Sequence, residues 1–442
     1  MPKIVNRIVI GVLVGLVILS GGLVGATAAG VFSPTPGVLD PDSYVDPPPT
    51  PRTPEPGLEG LDPALTPDSA RIQAGLAALG RTGLGTVSYQ VIDASGQKVA
   101  GEDEGTLRVP ASSWKVLTSM AVLSAYGPNH RFTTTVVSSS TGIVLVGAGD
   151  PYLTKSSAAG SGQGTVQDLA AKTAQALSGS GIASVTLGYD DSLFAGPQWN
   201  PVWPEDFGYD VDPISALSVD PNGWTDTDTS AAAATIFASA LADQGISVTA
   251  VRAEKAGSAA TLLASVDSLP LGQIVQRVIS TSYNFGAEVC LRHVGVASGG
   301  DGSTRSGVAG LTAFLQAQGL WTDGMRIDDG SGLSDGNVVT ASILAQAVRT
   351  SYGNPVLADV VTGMPVAGVD GTLARRFDDP DEMGGRGIVH AKTGTLDYVR
   401  TLTGFAQTSS GAVVFFSFML NNLPDDAAGV DWLDEAAAVL AG

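Results

Sequence analysis

Apolar and polar positions alternate along the chain with two periods, and the switches between them outline its elements. Residues 67–80 carry a helical pattern, with Thr66 or Asp68 placed to cap it. Residues 84–92 alternate as a strand through Val87, Tyr89 and Val91, and Ala94-Ser95-Gly96 reads as the turn that ends it. A helix opens near Ser112, since Val116, Leu117, Met120 and Leu123 share one stripe. From about 126 to 268 the pattern is mixed. Strand-like runs at 131–138, 142–147, 183–188 and 246–253 alternate with helical runs at about 165–178 and 229–243, with Gly/Ser joints such as 156–164. Residues 270–352 are mostly helical. Strands follow near 388–394, 398–407 and 412–420, then a last helix from about 425. Thr408-Ser409-Ser410-Gly411 would fold the last two strands into a hairpin. Strands and helices at both ends, enclosing a helical block, predict an α/β (α+β) fold: a sheet covered by helices, with residues 126–268 as an inserted mixed α/β domain. No internal repeat interrupts this order.

The start of the chain follows neither period. Lys3 and Arg7 precede an apolar run from Ile8 to about Phe32, and Ala26-Thr27-Ala28 has the small-residue form of a cleavage site. Residues 1–32 therefore read as a signal peptide, or, uncleaved, as a membrane anchor with its positive flank in the cytoplasm. Either way the folded part works outside the cytoplasm; a buried core helix is the competing reading. Residues 33–57 are Pro-rich, as in Pro47-Pro48-Pro49-Thr50-Pro51, which favours extended polyproline II and a semi-rigid linker, or else a tail with no spacing role. The folded body is expected at 58–125 and 269–442, around the insertion at 126–268.

Composition narrows the function. The chain has 442 residues, 44% hydrophobic and 15% charged, which suits a folded protein with a large core. Its formal net charge of −20 repels phosphate backbones and excludes a nucleic-acid partner. Cys290 is the one cysteine, so no internal disulfide forms, and its apolar surroundings read as those of a packing thiol. His130, His293 and His390 are widely spaced and show no metal-site pattern, so neither a metal nor a cofactor is expected.

Three short motifs carry chemistry. In Pro110-Ala111-Ser112-Ser113-Trp114-Lys115, Ser112 and Lys115 lie three apart at a helix start, hence on one face. A lysine kept neutral by burial can take the serine proton, and a helix N-terminus favours developing negative charge. Ser95-Gly96-Gln97-Lys98 repeats the spacing inside a predicted turn and reads as chance. Ser282-Tyr283-Asn284 lies between two predicted helices, where a serine can relay a proton and an amide can hold a carbonyl; a turn or helix N-cap is the plainer reading. Lys392-Thr393-Gly394-Thr395 ends a strand-like run in a chain with only seven lysines. A lysine and two hydroxyls at a strand edge make a carboxylate receptor, and Gly394 would let a substrate backbone approach. A surface strand with an incidental lysine is the alternative.

Ser-x-x-Lys, Ser-x-Asn and Lys-Thr-Gly, in this order, form the set found in penicillin-binding proteins and class A β-lactamases. The chain resembles a D-alanyl-D-alanine carboxypeptidase/endopeptidase of the penicillin-binding protein 4 type, the class C low-molecular-mass group (peptidase family S13). Four further segments are similar to that group: Val146-Gly147-Ala148-Gly149-Asp150-Pro151, Leu217-Ser218-Val219-Asp220-Pro221-Asn222, Asp329-Gly330-Ser331-Gly332-Leu333-Ser334, and Val366 to Leu373. The 167 residues from Lys115 to Ser282 also suit a subgroup that carries an insertion there.

The resemblance implies a penicillin-binding protein/β-lactamase-like transpeptidase fold, with the serine D,D-peptidase domain at 58–125 and 269–442. It implies that Ser112, Lys115 and Ser282 are catalytic, that Asn284, Lys392, Thr393, Gly394 and Thr395 bind substrate, and that the backbone N–H groups of Ser112 and Thr395 form the oxyanion hole. The implied partners are peptidoglycan stem peptides and, as inhibitors, β-lactam antibiotics, with membrane contact only through the N-terminal segment. Arg375 or Arg376 is open to meeting an acidic stem-peptide group or to being a surface charge. A β-lactamase or esterase on the same scaffold is the alternative enzyme, although no Glu-x-x-Leu-Asn segment of the class A deacylation kind occurs. Tyr352-Gly353-Asn354, the one match to a Tyr-x-Asn motif, ends a predicted helix and reads as a decoy. A non-catalytic cell-wall binding protein is the alternative of a different class.

Overall fold

Two five-stranded sheets with different wiring organise the chain in a computed structural model that describes residues 65–156, 162–221 and 228–442. The expected signal or anchor segment and the Pro-rich linker lie outside the described residues. Among the described residues, no helix is long and apolar enough to cross a membrane.

Helix α1 (Ser69–Ala78) is capped by Asp68, whose carboxylate accepts from the Arg71 N–H at 3.0 Å. Strands β1 (Thr86–Asp93) and β2 (Lys98–Glu102) form a hairpin, and β3 (Leu107–Arg108) leads through a 3₁₀ turn, Ala111–Trp114, into helix α2 (Lys115–Tyr126). Next come β4 (Thr133–Ser138), β5 (Ile143–Val146), α3 (Val166–Gly179), β6 (Ser184–Asp190), α4 (Thr229–Asp243), β7 (Ser247–Ala253) and β8 (Leu262–Asp267). Helices α5 (Leu271–Thr281), α6 (Asn284–Ala297) and α7 (Thr304–Ala317) follow, then the two-residue β9 (Val339–Thr340), α8 (Ala341–Tyr352) and the short α9 (Ala358–Thr362). The chain finishes with β10 (Val389–Leu396), β11 (Val399–Gln407), β12 (Val413–Asn421) and α10 (Asp426–Ala441).

The first sheet has the order β10-β11-β12-β1-β2 and is antiparallel throughout, so the two ends of the chain close one sheet. Every residue of β12 is buried because helices cover both faces. Phe415 and Met419 pack into the cluster built on α2, α5 and α8, whereas Phe416, Phe418 and Leu420 pack with Trp432 and Leu433 of α10. The second sheet, β7-β6-β5-β4-β8, lies wholly between Thr133 and Asp267; β5, β6 and β7 are parallel and the rest antiparallel. Leu169 and Leu177 of α3 and Phe237 and Leu241 of α4 pack with Val136, Leu145 and Leu187 of this sheet.

Strand β10 is an edge of the first sheet. Its first half is covered by residues 365–367: Val366 bridges His390, and Pro365 O accepts from the Ala391 N–H at 3.0 Å. That pairing runs as far as Ala391, immediately before Lys392.

Candidate active site

Ser112 sits in the 3₁₀ turn ahead of α2, and Lys115 is the first residue of the helix proper. This spacing brings the lysine Nζ to 2.8 Å from Ser112 Oγ. Lys115 is fully buried and has two further neighbours, Asn284 Oδ1 at 2.7 Å and Ser331 O at 2.8 Å. Both of these accept only. A neutral amine can give its two hydrogens to them and turn its lone pair to the Ser112 hydroxyl. Burial pushes Lys115 down to about 7, against the opposing fields of Asp329, Glu288 and Asp210. The backbone just before Ser112 is strained, since Ala111 has φ +47°, at a cost of about 1–2 kcal/mol.

The second motif lies in the joint between α5 and α6. Ser282 ends α5 in the left-handed region, φ +62°, and Asn284 begins α6. No side chain caps α6, so the N-cap reading of this motif does not apply, and Ser282 instead closes α5 as its C-terminal cap. The Asn284 amide spans the cleft instead: its Nδ2 donates to Asp210 O at 3.0 Å, which turns Oδ1 to Lys115. Asp210 follows a 3₁₀ turn, Glu205–Tyr209, in the segment that leads to α4. Behind the joint, two segments far apart in sequence meet. A Cβ on Gly147 would lie 2.4 Å from Ala216 O, and the Gly149 N–H donates to that same oxygen at 2.7 Å. The Tyr283 hydroxyl reaches Pro221 O at 3.3 Å, so this packing braces the motif.

The loop after α7 supplies the third neighbour of Lys115. Asp329 is an internal scaffold: its carboxylate accepts from the N–H groups of Gly332 and Ser334, from Asn337 Nδ2 and from Trp203 Nε1, all within 3.0 Å. Gly332, at φ +78°, packs on the Ala111–Trp114 turn, where a Cβ would lie 2.0 Å from Ala111 O. Thr118 Oγ1 donates to Gly330 O at 2.7 Å, which ties the loop to α2. Sequence reasoning noted this segment only as a likeness. The signal that its carbonyl faces the lysine is tertiary and absent from local pattern.

Lys392 is fully buried on β10, and its Nζ donates to Thr393 O at 2.8 Å. Burial, and then the nearby Lys115, hold it well below the usual lysine range. Thr393 donates its hydroxyl to Thr372 Oγ1 at 2.8 Å, whereas Thr395 is exposed at the open end of the strand. Gly394 differs from expectation. The space a Cβ would need is taken by the protein itself, with Thr401 Oγ1 at 2.0 Å and Pro110 O at 2.6 Å. Thr401 Oγ1 in turn donates to Pro110 O and meets Ser113 Oγ, each at 2.8 Å. The glycine therefore lets β11 reach beneath β10 and fasten the turn that carries Ser112.

Other readings are resolved away from this cluster. Ser95 Oγ bonds Asp93 and Lys98 pairs with Glu104, so that Ser-x-x-Lys spacing is incidental. Tyr352 is buried against Phe405 and Phe415, and Asn354 accepts from the Val356 N–H in a turn. Arg376 is not available to substrate: Nε and Nη2 bind both oxygens of the buried Asp434 at 2.9 and 2.6 Å. Cys290 is buried and pushed up to about 12. His293 stacks on Phe132 at 3.8 Å, and burial lowers it to about 4, so its neutral Nε2–H donates to Gly149 O.

Known proteins resemble this chain over most of its length. The profile of the D-Ala-D-Ala carboxypeptidase 3 (S13) family matches residues 72–228 and 223–441. A carboxypeptidase of Mycobacterium tuberculosis is 33% identical over 398 residues, 85% of each chain. Carboxypeptidase DacB of Mycolicibacterium smegmatis is 32% identical over 452 residues, 97% of this chain and 96% of that one. Among solved structures, penicillin binding protein 4 of Haemophilus influenzae superposes with a TM-score of 0.69 at 21% identity, covering 84% of this chain and 98% of its own, a likeness of fold.

Proposed function

The chain belongs to the D-Ala-D-Ala carboxypeptidase 3 (S13) family and is a serine-type carboxypeptidase; from that premise we propose that Ser112 forms the acyl-enzyme and that the neighbouring motifs serve it as follows. Neutral Lys115 takes the Ser112 proton as Oγ attacks the carbonyl of the penultimate D-alanine. The N–H groups of Ser112 and Thr395 receive the oxyanion. As the C–N bond breaks, Ser282 gives its hydroxyl proton to the departing D-alanine amine and takes the one Lys115 holds; water then attacks the ester, losing a proton to Lys115, which returns it to Ser112 Oγ as the C–O bond breaks. Asn284 orients Lys115 through Oδ1 and the substrate through its remaining capacity. The substrate carboxylate meets Thr395 and Thr393 beside Lys392, and its negative charge favours the ammonium form that burial disfavours.

One observation carries this reading: a fully buried lysine amine 2.8 Å from a serine hydroxyl, with two acceptor-only partners that fix the direction of its lone pair. On the same reading residues 58–125 and 269–442 make the serine D,D-peptidase domain and 126–268 an inserted one. The enzyme works outside the cytoplasm on peptidoglycan stem peptides, either anchored by residues 1–32 or released by their cleavage. The test is release of D-alanine from a stem pentapeptide ending in D-Ala-D-Ala, beside turnover of a chromogenic cephalosporin. D-alanine release with slow cephalosporin turnover is expected. Rapid cephalosporin hydrolysis without D-alanine release would assign the scaffold to a β-lactamase.

A further inference from the structure

We infer that Glu288 is a positioning residue for the acylation step, acting on Lys115 through the Gly330–Ser331 peptide; this rests on the reading of Ser112 and Lys115 given above. Glu288 lies one turn after Asn284 on α6 and is 2% exposed. Its Oε1 accepts from both the Gly330 N–H, at 2.9 Å, and the Ser331 N–H, at 2.7 Å. Its carboxyl also bonds the Ser331 side chain. A single oxygen thus holds two consecutive amides of the loop, and the carbonyl that follows them, Ser331 O, is the one that accepts from Lys115 Nζ at 2.8 Å.

Asn284 and Glu288 therefore set two of the three directions around the lysine amine from one rigid helix. Asn284 does so directly, and Glu288 does so through one peptide unit. Lys115 on α2, Asp329 on the loop and Arg292 on α6 are the charged groups that face Glu288. Arg292 does not neutralise it, because its guanidinium donates to Ala195 O at 3.0 Å and Pro197 O at 2.7 Å. Asp329 is fully buried as well and already accepts four hydrogen bonds from its own loop and Trp203. Burial, and then the field of Asp329, push Glu288 above the usual carboxylate range, and in either protonation state its Oε1 can accept from the two loop amides. What Glu288 supplies is then an acceptor oxygen in a fixed place, and glutamine can supply the same oxygen.

The experiment compares wild type, Glu288→Gln, Glu288→Met and Ser112→Ala. The readouts are the acylation rate constant and the initial binding constant for a penicillin, with active sites counted by titration. Methionine fills the same space but offers no acceptor, so the loop amides lose their anchor. The expected result is an acylation rate constant lowered about 10- to 100-fold in Glu288→Met, with initial binding little changed, as misplacement of a reacting group by a fraction of an ångström requires. Glu288→Gln should recover to within about threefold of wild type, a rescue that cavity filling alone does not produce. Wild-type rates in Glu288→Met would overturn the inference. So would a Glu288→Gln enzyme slowed more than about tenfold, a test that stands even if Glu288→Met does not fold. If wild type itself fails to acylate, or Ser112→Ala still acylates, the fault lies in the assignment of the nucleophile instead.

Discussion

Acylation of Ser112 should switch on as the pH rises through about 7, because only the neutral form of Lys115 can accept the serine proton. Burial lowers this lysine from its ordinary 10.5 to about 7, with Asp329, Glu288 and Asp210 pulling the other way. At pH 7 an ordinary lysine would be neutral in roughly one molecule in three thousand, whereas Lys115 is neutral in about half. The fold thus raises the supply of free base about a thousandfold, of the order that general-base catalysis contributes. The sign is fixed by the charge type: below about 7 the amine is an ammonium with no lone pair, and the rate falls about tenfold per pH unit. The assay is the second-order rate constant for penicillin acylation from about pH 5 to about pH 9, in a sample whose fold is followed by circular dichroism. Asp210 has an exposed side chain, and its field raises the Lys115 pKa. Asp210→Asn should therefore move the midpoint to lower pH. A flat profile across this range, or a midpoint near 10, would refute the reasoning, since Lys115 would then be either not the base or not perturbed.

Gly394→Ala should abolish acylation and lower the melting temperature, because its Cβ would meet Thr401 Oγ1 at 2.0 Å and Pro110 O at 2.6 Å and push β10 off the nucleophile turn; thermal denaturation and penicillin titration check both effects. Arg376→Ala should destabilise by about 3 kcal/mol, since it leaves the 2%-exposed Asp434 unpaired, while kcat of the remaining folded enzyme is unchanged; urea denaturation beside D-alanine release separates these two effects.

The fold class was legible because most elements obey one period. The hairpin of β11 and β12 and helices α3, α4 and α10 lie close to where their patterns place them. Strands β2 and β8 were missed. Both are short, at five and six residues, and edge positions leave half their side chains in water, so neither shows a run of apolar alternation. The candidate site was legible as residue types in order, because Ser112 and Lys115, three apart at a helix start, meet through local geometry alone. Their connections were not. Ser331 O, Glu288 and Asp210 approach Lys115 only through the packing of α6, the loop after α7 and the segment before α4. At Gly394 the close approach is made by Thr401 and Pro110, because a glycine in a strand marks a close approach without naming what approaches. Arg376 illustrates the same limit: its partner Asp434 lies 58 residues away, and nothing local distinguishes it from a free surface arginine.

The most direct test of the central claim is to incubate the folded enzyme with a penicillin and map the adduct by mass spectrometry. The account predicts one stable acyl group per chain on the peptide that contains Ser112, absent from Ser112→Ala. An adduct on another serine, or none in a folded sample that also fails to hydrolyse the penicillin, would contradict it.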